Sequence, residues 1–321
     1  MINTYLALIK REYWEHRGAF IKTPIIIGIV MIVLTIIGYI TGLVLTNKSG
    51  ANDLVAIGIW ELSQLPPDQL VMFWEVQALS ISSLYLTVLF FVLFFFLLGS
   101  LFDDRKDQSI LFWKSLPISD NATVLSKLLT AMFLVPLIFV AVFLLLSFVL
   151  MLLFTIVLLF HGLNPIQLVW SPASLFSAAK LALTGVFVQM LWALPIYGWL
   201  IFSSSISKRR PFLFAVFVPA IVAFSWYWVN VLTFQFTNFN MFKLPLRYIS
   251  NAMFPYTSDS LRSGGFHFGP NSFGNKDGSV IDTISLLKSS VFNGMGIIYG
   301  AIFAAIMVSL AIWLRRYRNT V

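Results

Sequence analysis

The chain lacks several residue types that most kinds of protein chemistry require. It has no cysteine, which excludes disulfides, thiolate nucleophiles and cysteine-ligated metal sites. Charged residues make up only 11% of the sequence, against about 25% in soluble domains, so a soluble enzyme is excluded. The three histidines, His16, His161 and His267, stand too far apart to form a local metal-binding motif.

Long hydrophobic runs take the place of the missing charges. The sequence is 59% hydrophobic with a mean hydropathy of +0.89, and about 20 apolar helical residues are needed to cross a bilayer. These runs predict an all-α integral membrane protein. Some exceed one crossing, so we expect tilted helices or kinks near Pro136, Pro195 and Pro219. The six predicted spans are approximately 24–45, 72–102, 128–160, 178–205, 211–236 and 289–314.

Lysine and arginine are distributed unevenly around these spans. Of 21 such residues, 14 fall near the two termini and in the loops that follow spans two and four. Because short cytoplasmic loops retain positive charge, both termini are predicted to be cytoplasmic. The net charge of +8 therefore reflects topology rather than one basic surface, and we expect no nucleic-acid partner.

Two segments outside the spans have a recognisable character. Residues 1–22 carry an apolar stripe at helical spacing, which predicts an amphipathic helix lying in the membrane interface, although a frayed tail has the same composition. Residues 23–321 then form the membrane domain. The predicted external loop 242–288 is rich in glycine and turn formers, and it is either a lid or a plain connection.

The predicted cytoplasmic loop 103–127 is the most informative segment. Asp103, Asp104 and Asp107 alternate with basic residues, which favours a solvated, self-paired stretch, and Pro117 ends the short helix that they begin. The apolar residues between them indicate docking on a membrane or a partner, unless they pack beneath the chain's own helices. These residues are Ile110, Leu111, Phe112, Trp113 and Leu116.

Several functional motifs are missing. No Gly-Lys pair occurs, so the chain has no phosphate-binding loop and is not itself an ATPase. The charge-free runs contain no ionisable group of the kind that ion-coupled transporters use, and no charged base that an intramembrane enzyme would need. No nucleophile elbow or zinc-protease motif is present.

The loop segment Ser-Ile-Leu-Phe-Trp-Lys-Ser-Leu-Pro-Ile-Ser, at 109–119, resembles the cytoplasmic loop of type-2 ABC exporter permeases. Six spans, internal termini and an N-terminal interfacial helix are similar to that family as well. The resemblance implies a multi-pass protein of the cell inner (cytoplasmic) membrane. It also implies a homodimer, or a pair of related permeases, carried by two ABC ATPase subunits that hold ATP and Mg, with no cofactor in this chain.

The resemblance further implies two sets of functional residues. The ATPase-coupling residues would be Asp104, Asp107, Ile110, Phe112, Trp113, Leu116 and Pro117. The substrate pathway would run along spans two and five, where the polar or aromatic candidates are Gln77, Ser80, Ser83, Thr87, Trp226 and Asn230. The expected function is outward movement of an amphipathic, lipid-like or peptide substrate. The alternative is a non-transporting membrane scaffold or assembly factor.

Small residues recur at four-residue spacing in two spans. Gly38 and Gly42 lie in the first, and Gly296, Gly300 and Ala304 lie in the sixth. Such spacing permits close approach of two helices. The contact is either with a second copy of the chain or within one protomer, and the spacing fits both.

We predict that a reporter that works only in the cytoplasm will be active when it is fused after Val321, and that a reporter that works only outside it will be inactive there. The lysine and arginine distribution and the even number of spans place both ends of the chain on the cytoplasmic side. Paired alkaline phosphatase and fluorescent-protein fusions measure this directly. Phosphatase activity at the C-terminus would contradict the predicted topology.

Overall fold

The computed structural model describes residues 2–49, 54–107, 119–207, 209–233, 243–256 and 294–317. Within these ranges the chain is helical and contains no β-strand. Six helical stretches in these ranges are long and apolar enough to cross a membrane, in agreement with the predicted number of spans. The protein is therefore a multi-pass, all-α membrane protein.

Ten α-helices make up the described chain, and short π-helical turns interrupt or connect some of them. The turns lie at Gly18–Lys22, Thr130–Leu134 and Ile166–Trp170. The helices are α1 Ile2–Glu15, α2 Thr23–Ser49, α3 Leu54–Gln64, α4 Pro67–Lys106, α5 Asp120–Leu129, α6 Val135–Phe160, α7 Leu175–Ile206, α8 Pro211–Leu232, α9 Lys243–Met253 and α10 Gly294–Tyr317.

Two central helices, α4 and α7, organise the bundle. Helix α7 packs most extensively on α10 and α4, and it buries Trp192 and Tyr197 almost completely. In contrast, the large apolar side chains of α2 and α8 are exposed or half-buried, and none of those described is fully buried. Lipid tails are as apolar as leucine, so such exposure is the normal state of a lipid-facing helix.

A second, smaller hydrophobic core lies at the end of the bundle where α4 begins and α6 ends. It consists of Leu70, Trp74, Met151, Leu158, Leu168 and Val169. The indole N–H of Trp74 donates to the Leu168 carbonyl oxygen at 2.9 Å, which ties α4 to the π-turn that precedes α7. We call this the distal end, because it is opposite the chain termini.

The small residues of the sixth span face α7 of the same protomer. A Cβ added to Gly198 of α7 would lie 2.7 Å from the Ala304 Cα, so the two backbones meet there. A Cβ added to Gly300 would lie 3.3 Å from the Pro195 ring of α7. On the first span, by contrast, Gly38 has no neighbour within 4 Å of its added Cβ. The sixth-span pattern thus serves packing inside one protomer.

We expect Gly198→Ala to destabilise the protein by about 1–3 kcal/mol, because the added methyl overpacks a backbone contact between α7 and α10. Thermal unfolding of the purified chain in detergent measures the loss. Gly38→Ala is the matched control and should leave the unfolding midpoint unchanged or slightly raised. Equal midpoints for the two variants would argue against the close α7–α10 contact.

Candidate functional site

Six charged side chains gather at the end of the bundle that carries both chain termini. We call them the charge cluster: Arg11, Glu12, Asp104, Asp120, Lys127 and Arg315. They come from α1, α4, α5 and α10. Four helices that are distant in sequence therefore meet through charged groups.

Asp104 is the centre of the charge cluster. Its Oδ2 lies 3.5 Å from Lys127 Nζ and 3.4 Å from Arg315 Nη1, while its Oδ1 accepts a hydrogen bond from Arg11 Nη2 at 3.3 Å. The Asp104 side chain is only 4% exposed. A carboxylate buried to this extent is stable only with close cations, and here three helices supply them.

Two further acidic groups complete the charge balance. Lys127 Nζ lies 3.0 Å from Glu12 Oε1, and both side chains are almost fully buried. Arg315 donates from Nε to Asp120 Oδ1 at 2.9 Å. The charge cluster thus combines three cations with three anions, so its formal charge is zero. Four of the six side chains are buried, whereas Arg11 and Asp120 are partly exposed. A neutral cluster with short ion pairs limits the desolvation cost of burying those four charges.

Local sequence explains how these side chains reach one point. Ser119 caps α5 by accepting a hydrogen bond from the Ala122 N–H, which fixes where that helix begins. Asp120 and Lys127 then lie two turns apart and point towards the same side of the helix. Arg315 lies in the last turn of α10, where a cation also interacts favourably with the helix dipole.

Arg105 joins α7 to the same end of the bundle. Its guanidinium donates to the backbone oxygens of Ser204 and Ser207, the latter at 3.0 Å, at the C-terminus of α7. In return, Ser204 Oγ accepts hydrogen bonds from the N–H groups of Leu101 and Phe102 at 3.0 Å. Carbonyl groups in the last turn of a helix have no partner within that helix. Arg105, which belongs to α4, therefore acts as a C-terminal cap of α7.

Two of the π-helical turns adjoin the charge cluster. Gly18–Lys22 connects α1 to α2 and buries Phe20 completely against Phe96 of α4. Thr130–Leu134 follows Lys127 and comes just before Pro136. In a regular α-helix the ring of a proline clashes with the carbonyl group of the residue four positions earlier. Widened turns of this kind often accompany functional positions. Both turns place a change of helix geometry next to the charge cluster.

The predicted coupling residues are divided between described and undescribed parts of the chain. Asp104 and Asp107 are described, whereas Ile110, Phe112, Trp113, Leu116 and Pro117 lie outside the described residues. The expectation that the aspartates are solvated holds for the exposed Asp103 and Asp107 but is wrong for Asp104. Its partners are 23 to 211 residues away, so the local alternation of charges gave no sign of them.

The second span carries a group of polar residues that we call the polar stripe: Gln77, Ser80, Ser82, Ser83 and Thr87. Two of these residues hold the segment containing α9 in place. Thr87 Oγ1 donates towards the Met253 backbone oxygen at 3.2 Å and the Ser83 backbone oxygen at 2.9 Å. Neighbouring Ser82 lies 2.6 Å from the Tyr256 hydroxyl, which donates to the Leu181 oxygen at 3.1 Å. Burial raises the pKa of Tyr256, so its hydroxyl remains protonated.

The remaining pathway candidates have different surroundings. Ser80 is exposed and bonds the Val76 oxygen of its own helix, and Gln77 lines a cavity at the distal end. Trp226 and Asn230 are half-buried near the end of α8. Sequence reasoning missed Ser82, the buried member of the stripe, because its partner Tyr256 is 174 residues away.

The predicted external loop begins with a helix. Helix α9 is strongly amphipathic and packs on α7, where the Arg247 guanidinium lies 5.4 Å from the Trp192 ring centroid. Tyr248 donates its hydroxyl to the Gly296 backbone oxygen at 2.6 Å and so joins α9 to the start of α10. Residues 257–288 of that loop lie outside the described residues.

Glu12, Glu15 and His16 bring possible metal-ligating atoms within 4.8 Å of one another. Two of these groups already have cationic partners, because Lys127 contacts Glu12 and Arg11 Nη2 lies 3.3 Å from Glu15. A metal ion would have to displace the buried Glu12–Lys127 pair. The arrangement is therefore part of an ion-pair network rather than a metal centre.

Comparison with family models, curated proteins and solved structures gave no match. Functional inference for this chain therefore depends on its own residues and geometry.

We expect Asp104→Asn to destabilise the protein by about 3–5 kcal/mol, because it leaves the buried Lys127 and Arg315 and the partly exposed Arg11 with reduced compensation. The thermal midpoint in detergent should fall strongly. Asp107→Asn makes the same chemical change at an exposed site three residues later, and its midpoint should match the wild type. Similar midpoints for both variants would show that the charge cluster is not a stabilising element.

Proposed function

We propose that the chain is the transmembrane permease subunit of an ATP-driven ABC exporter. The observation that carries this proposal is the position of the charge cluster. The segment 108–118 contains the apolar residues expected to contact an ATPase. Along the chain it lies between α4, which ends at Lys106, and α5, which begins at Asp120. Asp104 and Asp120 of the charge cluster lie close to its two ends.

The charge cluster supplies a physical route from that segment to the spans. A force on 108–118 acts on the ends of α4 and α5, and the ion pairs link both helices to α1 and α10. Arg105 extends the link to the C-terminus of α7. Because buried ion pairs are costly to break, these helix ends move together rather than separately. Such coupling is what an ATP-driven permease requires.

In the proposed orientation, the end with the charge cluster faces the cytoplasm of the inner membrane. Lysine and arginine concentrate at that end, as cytoplasmic loops require. Helix α1 would lie along this face with Leu6 and Trp14 exposed towards lipid, while Leu8 and Glu12 pack inward. The partner ATPase subunits, with their ATP and Mg, would then have direct access to 108–118.

A second copy of the permease would complete the pathway in this proposal. Helix α8 buries only Ala215 and Ala223, so most of its apolar surface is open to a partner or to lipid. The proposed substrate is amphipathic, lipid-like or peptidic, since the exposed surface of α8 is apolar and aromatic. The six charge-free runs of the sequence contain no acidic or basic residue, which favours ATP over an ion gradient as the energy source.

We predict that Trp113→Ala combined with Leu116→Ala will uncouple ATP hydrolysis from transport, because it removes two apolar side chains proposed to contact the ATPase. Reconstituted vesicles with the partner ATPase should retain hydrolysis but lose substrate movement. Dissipating proton and sodium gradients should leave wild-type transport intact.

A control for this variant is Trp60→Ala, which removes an exposed tryptophan from α3 at the distal end and should leave coupling normal. Normal transport by the 113/116 double variant would contradict the proposed coupling role. Failure of the chain to co-purify with any ATPase would instead favour a scaffold or assembly factor.

A further inference from the structure

Helix α9 carries a cation that has no acidic partner in the described part of the chain. None of the ion pairs between described residues includes Arg247, and its Nε is buried without a hydrogen-bond acceptor. By contrast, the buried cations Lys127 and Arg315 each contact two carboxylates. Arginine keeps its proton in proteins, so Arg247 stays charged and attracts an anion.

Packing holds the Arg247 guanidinium in place. Its Cζ lies 5.4 Å from the centroid of the Trp192 ring, and Trp192 is only 1% exposed. The next residue, Tyr248, packs on the same indole at 5.5 Å between ring centroids and donates its hydroxyl to the Gly296 oxygen. Arg247 is half-buried with Nε enclosed, so a ligand reaches the guanidinium at its Nη atoms. A stacked, planar guanidinium is already organised for binding an anion.

The depth of Arg247 corresponds to the membrane boundary opposite the charge cluster. Gly296, the partner of Tyr248, lies nineteen residues before Arg315 on α10, or about 28 Å at 1.5 Å per residue. Trp192 lies fifteen residues before the charged end of α7 at Ser207, or about 22 Å. The hydrocarbon core is about 30 Å thick. Arg247 therefore lies just inside its distal boundary, within reach of lipid phosphate groups.

Apolar side chains are open beside Arg247 on the same helix. Leu244, Leu246 and Ile249 are 37% to 58% exposed, and Leu244 lies one turn before Arg247 on the same side. A guanidinium fork matches the oxygens of a phosphate group, and these apolar side chains suit a hydrocarbon chain. We propose that Arg247 binds a phosphate group at the distal boundary of the membrane. The apolar neighbours favour a phosphate carried by a lipid over free phosphate.

Binding is measured on the purified full-length chain in maltoside detergent, without an ATPase, so the result is independent of the proposed transport function. Calorimetric titration compares dioctanoyl phosphatidylglycerol with dioctanoylglycerol, which has the same chains and no phosphate. We expect saturable binding of the phospholipid and at least about tenfold weaker binding of the diacylglycerol, a difference of about 1.4 kcal/mol. Equal affinities, or no saturable binding of the phospholipid, would overturn the proposal.

Inorganic phosphate distinguishes the two sources of the phosphate group. The phospholipid titration is repeated with excess inorganic phosphate at constant ionic strength. We expect the phospholipid to keep its affinity, which assigns the site to a lipid headgroup. Displacement of the phospholipid would assign the same site to free phosphate.

Arg247→Gln should weaken phospholipid binding at least about tenfold and leave binding of the diacylglycerol unchanged. Arg17→Gln is the matched control, because Arg17 lies 5.5 Å from the Trp14 ring but is exposed at the charged end. This control should retain wild-type affinity. Equal affinities of the two variants for the phospholipid would refute the role of Arg247.

Arg247→Lys is a second variant that keeps the positive charge, so the test remains decisive if Arg247→Gln does not fold. Lysine lacks the planar fork and the stacking of the guanidinium, so it should bind the phospholipid about threefold more weakly than the wild type. The thermal midpoint without lipid should stay the same, which separates lost binding from lost packing. Wild-type affinity in this variant would contradict recognition by the guanidinium.

Discussion

The buried ion pairs around Asp104 are the constraint on which the rest of the arrangement depends. Three cations from three different helices surround one carboxylate that is 4% exposed. Removing one of these charges leaves the buried cluster with a net charge, which is costly. The relative positions of α1, α4, α5 and α10 at this end are thus fixed by electrostatics, and not only by the weakly directional packing of apolar side chains.

The two ends of the bundle are stabilised differently. At the charged end, ion pairs and the Arg105 contacts join five helices. At the distal end, α9 is held by hydrogen bonds to the polar stripe of α4, and a small apolar core surrounds Trp74. The cavity lies where this small core meets the large one.

Much of the fold could be predicted from the sequence, because the bilayer imposes a length and composition on each span. Six apolar runs predicted six spans, and the structure has six helical stretches long and apolar enough to cross a membrane. The site was less accessible. Asp104 pairs with Arg315, 211 residues away, and Ser82 pairs with Tyr256, 174 residues away. Helical periodicity places such residues on a helix face but carries no information about which distant helix meets it.

The most direct test of the account is whether the helices joined by the charge cluster move as one body. The chain has no native cysteine, so pairs of introduced cysteines carry spin labels without background. Electron–electron distances would be measured for exposed positions Lys10–Arg316 and Lys10–Phe217, in the presence of the proposed ATPase partner, before and after addition of ATP. The account predicts an unchanged Lys10–Arg316 distance and a shifted Lys10–Phe217 distance, since α8 is weakly packed. An ATP-dependent change between Lys10 and Arg316 would contradict it.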